Sequence, residues 1–484
     1  MSVESIQSQS QTEESRRSFS IRWAKNSIFY FTSQILGKGL FFLTTVYLAR
    51  LLGASEYGKF AFSFGFVTLF SVITKFGLDL LTSRDVGENR QLAAEYFRAS
   101  ITLRAVLACV FLLLMLIGIQ VLDKPPEVNR LILLLAISAA LQSIAGAGTS
   151  LFEAVQSFGY RSILNILMYG AIFLALFATT YSNPVLDSVG PAFLIGATLY
   201  CVIALGLSHL KIARFSWSLD SKFLWNLFKA ALPLGLTEIF IGIYYRVDTI
   251  LLSLFTTDET VGWYDAAYTF VYGLRLLPVT VGMVLLPSLS NLHSREPEKA
   301  AGIYQLTMFY SIAIGVWITF LIAMNSTQLV TLVFGAGYEP SAHVLSWLIW
   351  TCVIMFANAF QGILMVITQQ RTGLFRATAL GAISNIVLNL ILIPKFDIYG
   401  AAISTILSEF CVFLVCAGYL KRFVSVFSFF RFLFAPVLGG AVMVLLWSYL
   451  GSTHFLLASF LCTLGYFAVF LSLRKFTVPE ELHS

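Results

Sequence analysis

Tyr264, Tyr268, Tyr272 and Arg275 recur at steps of four, four and three within one apolar run. At 100° per residue they share an arc of about 80° on one helix face. Tyrosine rings can stack on sugar faces, and a guanidinium grips phosphate oxygens in a two-pronged fork. The pattern therefore suits a ligand carrying sugars and an anionic group, although helix packing around an interhelical ion pair would use the same residues. A second stripe, Tyr30, Gln34, Lys38 and Thr45, has the same character, with Lys38 deep in its apolar run. Glu238, Arg246 and Asp248 share a third run. Arg246 and Asp248 are two apart and point roughly 160° away from each other, so they cannot both face one cavity. Thr405 and Glu409 stand at i, i+4. Carboxylates at such depth carry protons, coordinate sodium or pair with the buried arginines. Glu238, Asp248 and Glu409 are accordingly the ion-coupling candidates. Lys75 and Asp79 read as an intrahelical pair, and Asn385 and Asn389 as hydrogen-bonding groups between helices.

Other chemistries find no support in the residue spacing. The six cysteines all fall in apolar runs without metal-ligand spacing, and the five histidines do not cluster. Gly53-Ala54-Ser55-Glu56-Tyr57-Gly58-Lys59-Phe60 nearly spells a phosphate-binding loop. It lacks the final Ser or Thr that reaches magnesium, and no strand precedes it. Asn325-Ser326-Thr327 matches a glycosylation acceptor, a pattern common by chance. The expectation is a protein with no catalytic residues, no metal and no cofactor beyond a coupling proton or sodium ion.

These residues sit in a chain built for lipid. Of 484 residues 58% are hydrophobic and 12% charged, about half the charged share of a soluble domain. Mean hydropathy is +0.82. A span needs about 20 apolar residues to cross roughly 30 Å of hydrocarbon. Fourteen segments qualify, near 27–50, 58–83, 99–121, 131–155, 162–180, 188–208, 230–254, 261–290, 302–324, 342–366, 373–394, 399–420, 430–449 and 454–473. The segments between them are too short for a folded catalytic domain. With the N-terminus inside, five of the 31 Lys and Arg residues lie outside (Arg50, Lys59, Lys124, Arg130, Lys395) and five within spans (Lys38, Lys75, Arg104, Arg246, Arg275). The other 21 are cytoplasmic, so both termini are expected in the cytoplasm. This spread also argues against a nucleic-acid patch, despite the net charge of +6.

The first twelve spans read as two copies of six. Glu56-Tyr57-Gly58-Lys59-Phe60-Ala61 returns about 205 residues later as Thr260-Val261-Gly262-Trp263-Tyr264-Asp265. Gly190-Pro191-Ala192 returns as Gly400-Ala401-Ala402. Six is even, so the copies share one orientation, an arrangement found in transporters with the path between the lobes. The expected fold is an all-α polytopic membrane protein of about 14 transmembrane helices, two six-helix lobes in parallel pseudo-repeat plus two C-terminal helices. Its expected divisions are a disordered cytoplasmic tail at 1–21, an N-terminal lobe at 22–210, a C-terminal lobe at 211–425, and two extra spans with a cytoplasmic tail at 426–484. Pro233, Pro278 and Pro287 interrupt spans 7 and 8, where bending could serve alternating access.

Arg50-Leu51-Leu52-Gly53 with Tyr57-Gly58, and Tyr245-Arg246-Val247-Asp248 followed by Val261 through Ala267, resemble the signatures of bacterial polysaccharide (O-antigen, Wzx-like) flippases. Phe334-Gly335 with Tyr338, and Asn389 through Pro394 to Gly400-Ala401-Ala402, continue the match over roughly residues 20–420. The resemblance implies the multidrug/oligosaccharidyl-lipid/polysaccharide exporter fold. It also implies transfer of an undecaprenyl-diphosphate-linked oligosaccharide to the outer leaflet of the plasma (inner) membrane, for surface polysaccharide or lipopolysaccharide assembly. Lys38, Arg246, Arg275, Tyr264, Tyr268, Tyr272 and Gln34 become the substrate-cavity candidates. Expected partners are the lipid-linked oligosaccharide, membrane lipids and polysaccharide polymerase machinery. A lipid II flippase of the same fold is the nearest rival. A multidrug cation exporter would want a more acidic cavity, and a membrane-embedded glycosyltransferase would want large outer loops carrying acids. A purely structural scaffold would leave the buried cations unexplained.

Overall fold

The computed structural model describes the backbone of residues 3–182, 185–218, 220–421, 423, 426–450 and 455–477, with side chains from residue 32 onward except at 182, 283, 426–427 and 475–477. Its elements are α1 (Val3–Lys75), α2 (Leu78–Glu88), α3 (Ala93–Leu122), α4 (Pro126–Ala154), α5 (Phe158–Ser182), α6 (Val189–Lys211), α7 (Ser221–Phe255) and α8 (Asp258–Leu274). They continue with α9 (Leu276–Arg295), α10 (Pro297–Met324), α11 (Ser326–Phe334), α12 (Glu339–Leu348), α13 (Thr351–Ile367), α14 (Arg371–Tyr419), α15 (Val426–Leu450) and α16 (Phe455–Thr477). Helix α1 begins at Val3, within the stretch whose composition suggested a disordered tail.

Among the described residues, eleven helices are long and apolar enough to cross a bilayer, or twelve when the bent pair Ala336–Leu348 and Thr351–Ile367 forms one span. Two of them, Thr32–Glu88 and Arg371–Tyr419, each hold one non-helical residue, Gly53 and Asp397. Counting each as two spans gives the fourteen read from the sequence. Gly53 has φ 75°, ψ 171°, a conformation that costs an L side chain dearly and glycine little. Asp397 (φ 54°) follows Pro394, which removes one helix hydrogen bond just before the turn.

Contacts divide the chain into two compact units, and their edges differ from the lobe boundaries drawn from sequence. Unit 1 comprises Met1–Tyr47 with Phe70–Ile239, and unit 2 comprises Leu48–Leu69 with Phe240–Ser484. Long helices cause the difference. Helix α1 changes unit after Tyr47 and again after Leu69, and α7 after Ile239, so each edge falls within a helix rather than at a loop.

In unit 1 the helix break at Phe76 and Gly77 (φ 43° and 74°) separates Lys75 from Asp79 and destroys the i, i+4 geometry expected of them. Asp79 pairs instead with Arg104 at 2.7 Å. Arg104 is fully buried, and its other donors reach the Ser143 carbonyl (2.9 Å) and Ser100 Oγ (3.0 Å). In unit 2 the last two helices pack on α10. The Tyr466 hydroxyl donates to the Ala313 carbonyl at 2.7 Å, and Phe470 stacks on Phe309.

Candidate functional site

Unit 2 gathers most of the chemistry-bearing side chains. Pro278 cannot donate to the Leu274 carbonyl and its ring crowds that oxygen, so span 8 breaks at Arg275, the joint between α8 and α9. At this joint the Arg275 guanidinium lies 3.9 Å from the centroid of the Tyr245 ring, a cation–π contact. A cavity of about 190 Å³ opens beside it, lined by Tyr244, Tyr245, Arg275, Asn358, Thr378 and Glu409 among apolar neighbours such as Ile241, Val279 and Val412. A second, much smaller pocket of about 10 Å³ shares Tyr244, Tyr245, Arg275 and Glu409 and adds Tyr268, Tyr272, Thr351 and Thr405. Asn358 donates its amide to the Glu409 carboxylate (2.6 Å) and backbone carbonyl (3.0 Å). Among the described residues no ion pair joins Arg275 to Glu409.

The tyrosine stripe of α8 is graded. Tyr264 is 0% exposed, Tyr268 8% and Tyr272 40%. Only the last two line the pocket, with Arg275. Tyr264 serves another group: its hydroxyl donates to Asp248 Oδ2 at 2.8 Å, and Thr405 donates to the same oxygen at 2.9 Å. From Thr405 a chain of hydrogen bonds runs on. Ser408 Oγ donates to the Thr405 carbonyl (3.0 Å), Asn385 Nδ2 to Ser408 Oγ (3.2 Å) and Asn389 Nδ2 to Asn385 Oδ1 (3.1 Å). The Asn385 bond crosses between the spans either side of Asp397, whereas the Asn389 bond stays within one. Asp248 Oδ1 and Asn389 Oδ1 are buried without a hydrogen-bond partner among the described residues.

Arg246 points elsewhere than Asp248, as a separation of two residues demands. Its guanidinium lies 3.6 Å from Asp265 Oδ1 and 5.4 Å from the Phe64 ring centroid. Asp265 also accepts the Tyr57 hydroxyl at 2.6 Å. Arg246 is thus already engaged in an ion pair. Tyr57 and Asp265 escaped the sequence reading as functional residues, although both lie in the two turns whose similarity revealed the repeat.

Gln34, Lys38 and Glu238 belong to unit 1 and are described there alone. Gln34 and Lys38 are half-buried, and Lys38 has no ion pair among the described residues. Thr45, on the same stripe, is buried and donates to the Phe41 carbonyl; the Tyr30 side chain lies outside the described residues. Glu238 accepts the backbone N–H of Gly77 at 3.2 Å, so it caps the broken end of α2. Asn325, the glycosylation candidate, is 3% exposed and donates to the Leu321 carbonyl.

Fold and site together define a polytopic α-helical membrane protein with a cavity whose largely apolar wall carries a few polar and charged side chains. Residues 23–293 match the Polysaccharide biosynthesis protein family, and the chain belongs to that family. It is 25% identical, over 83% of its length and 84% of the relative's, to the probable low-salt glycan biosynthesis flippase Agl15 of Haloferax volcanii. It is 23% identical to the capsular polysaccharide biosynthesis protein CapF of Staphylococcus aureus, over 41% of this chain and 50% of that one. Its fold resembles the inward closed conformation of the lipid II flippase MurJ, with TM-score 0.73, 18% identity, and 94% of this chain and 99% of the other covered. An inward-facing multidrug resistance MATE family transporter is also similar, with TM-score 0.60, 12% identity, and 81% and 95% covered.

Proposed function

We propose that the protein is a flippase that moves a polyprenyl-diphosphate-linked oligosaccharide from the cytoplasmic to the outer leaflet of the plasma membrane. The observation that carries this reading is Arg275, a cation within the spans that faces a cavity and is stacked on Tyr245 rather than neutralised by a carboxylate. A diphosphate carries more than one negative charge, and unpaired charge is very costly in hydrocarbon. A fixed guanidinium in a polar cavity lowers that cost. Lys38, half-buried and without an ion pair among the described residues, is a second cation within the spans, on unit 1. Arg246 is held by Asp265 and would have to exchange that partner for substrate. The names of the glycan flippase relatives support the same substrate class.

The protein acts as a transporter and not as an enzyme, with both termini cytoplasmic, and hands its cargo to polysaccharide polymerase machinery. Transport is coupled to a proton or sodium gradient. Asp248 is the carboxylate best placed for this, since it is enclosed and one of its oxygens has no hydrogen-bond partner among the described residues. Glu238 is occupied as a helix cap. A lipid II-type flippase is the second reading, favoured by the likeness to MurJ in fold. Deleting the gene should accumulate lipid-linked glycan in the cytoplasmic leaflet. Accumulation in the outer leaflet, or none, would reject both readings.

A further inference from the structure

We propose that the cavity of unit 2 reads the sugar nearest the diphosphate, with Glu409, Asn358 and Thr351 as specificity-determining residues and a neutral or amino hexose as the sugar it takes. The inference rests on the flippase reading and deepens it. Arg275 and Glu409 line both adjoining pockets without pairing, so the site offers a cation and a carboxylate side by side. A phosphate on Arg275 places the attached sugar against Glu409. A carboxylate has about four lone-pair sites, and Asn358 fills one of them. The others can accept sugar hydroxyls or an ammonium. Three further polar atoms of the site are buried without hydrogen-bond partners among the described residues, Asn358 Oδ1, Thr351 Oγ1 and the Tyr244 hydroxyl. Native folds rarely leave such atoms unsatisfied, so a guest rich in hydroxyls explains them. Tyr244 and Tyr245, packed edge to face at 5.0 Å, supply aromatic surface for the apolar face of a pyranose. A uronic acid would set a second carboxylate against Glu409 and is disfavoured. Glu409 lines the cavity and Asp248 does not, so the two differ in role, and transport should stay coupled to the ion gradient without Glu409.

The test is calorimetric titration of the detergent-purified full chain with three probes: citronellyl diphosphate, the same compound carrying N-acetylglucosamine, and the same carrying glucuronic acid. The N-acetylglucosamine probe should bind at least about tenfold more tightly than the bare diphosphate, as expected for hydrogen bonds to a charged group. Glu409→Gln should erase that advantage, leave the bare diphosphate within about twofold, and improve binding of the glucuronic acid probe. Thr351→Val, close to isosteric, should cut the advantage without touching the bare diphosphate. Equal weakening of all probes in both variants, or wild-type protein indifferent to the sugar, would overturn the inference while leaving the flippase reading intact. Failure of wild-type protein to bind any probe would overturn both.

Discussion

Gly58 and Gly262 mark the tightest helix crossing in unit 2. A Cβ at Gly58 would lie 1.7 Å from the Asp258 carbonyl oxygen, and one at Gly262 would lie 2.1 Å from the Ala54 carbonyl oxygen. Residues 54 and 58 correspond to 258 and 262 by one constant offset, so the contact is reciprocal, as two-fold related copies require. Close carbon-to-oxygen contacts settle near 3.3–3.6 Å, so Gly58→Ala must part the backbones by about 1.5 Å. Overpacking of this kind costs about 1–3 kcal/mol. That lowers the equilibrium constant for the packed turns roughly 5- to 150-fold. Ser55 and Glu259 are exposed and occupy equivalent places in the two turns. Spin labels there, in a cysteine-free background, would report the separation by pulsed electron paramagnetic resonance. The distance should lengthen and broaden in Gly58→Ala, and again in Gly262→Ala. Unchanged distributions with unchanged thermal stability in both variants would show that the two turns are not closely packed at these glycines.

Tyr57→Phe removes the hydroxyl held by Asp265 and should destabilise the same contact by about 1.5–3 kcal/mol, the range for a bond to a charged group, read as a lower unfolding temperature. Arg104→Ala should deplete the protein from the membrane, because two buried hydrogen bonds and the Asp79 ion pair vanish together; immunoblotting measures this. Asp248→Asn should abolish dependence of transport on a proton or sodium gradient, read by collapsing each gradient in turn. A cysteine at Thr257 should react with impermeant labels in intact cells and one at Ser294 only after permeabilisation; Ser452, the other outer position expected from sequence, lies outside the described residues.

Length, hydropathy and turn residues made the span pattern legible, because crossing a bilayer leaves a long apolar signature that few residues can disguise. Of the three prolines singled out from sequence, Pro278 lies at a real break, whereas Pro233 and Pro287 sit inside α7 and α9. Partners were harder to read. The spacing of Lys75 and Asp79 implied a pair on a continuous helix, and the positive φ at Phe76 and Gly77 broke that premise. Arg104 was visible only as one more cation in a span, since its partner lies on another helix. The tyrosine stripe showed a shared face, yet one face can turn from packing at Tyr264 to cavity at Tyr272 along its length. Tyr244, Tyr245 and Asn358 came from helices that the spacing of α8 could not reach.

Whether Arg275 carries a lipid-linked glycan diphosphate across the membrane can be measured in proteoliposomes. Purified protein would be reconstituted with a fluorescent polyprenyl-diphosphate oligosaccharide, and the fraction protected from an external membrane-impermeant quencher followed over time. Wild-type protein should speed exchange between leaflets under an imposed ion gradient. Arg275→Ala, reconstituted at equal abundance, should not, and Arg275→Lys should retain part of the rate, since charge survives without the two-pronged fork. Full exchange by Arg275→Ala at wild-type abundance would contradict the account.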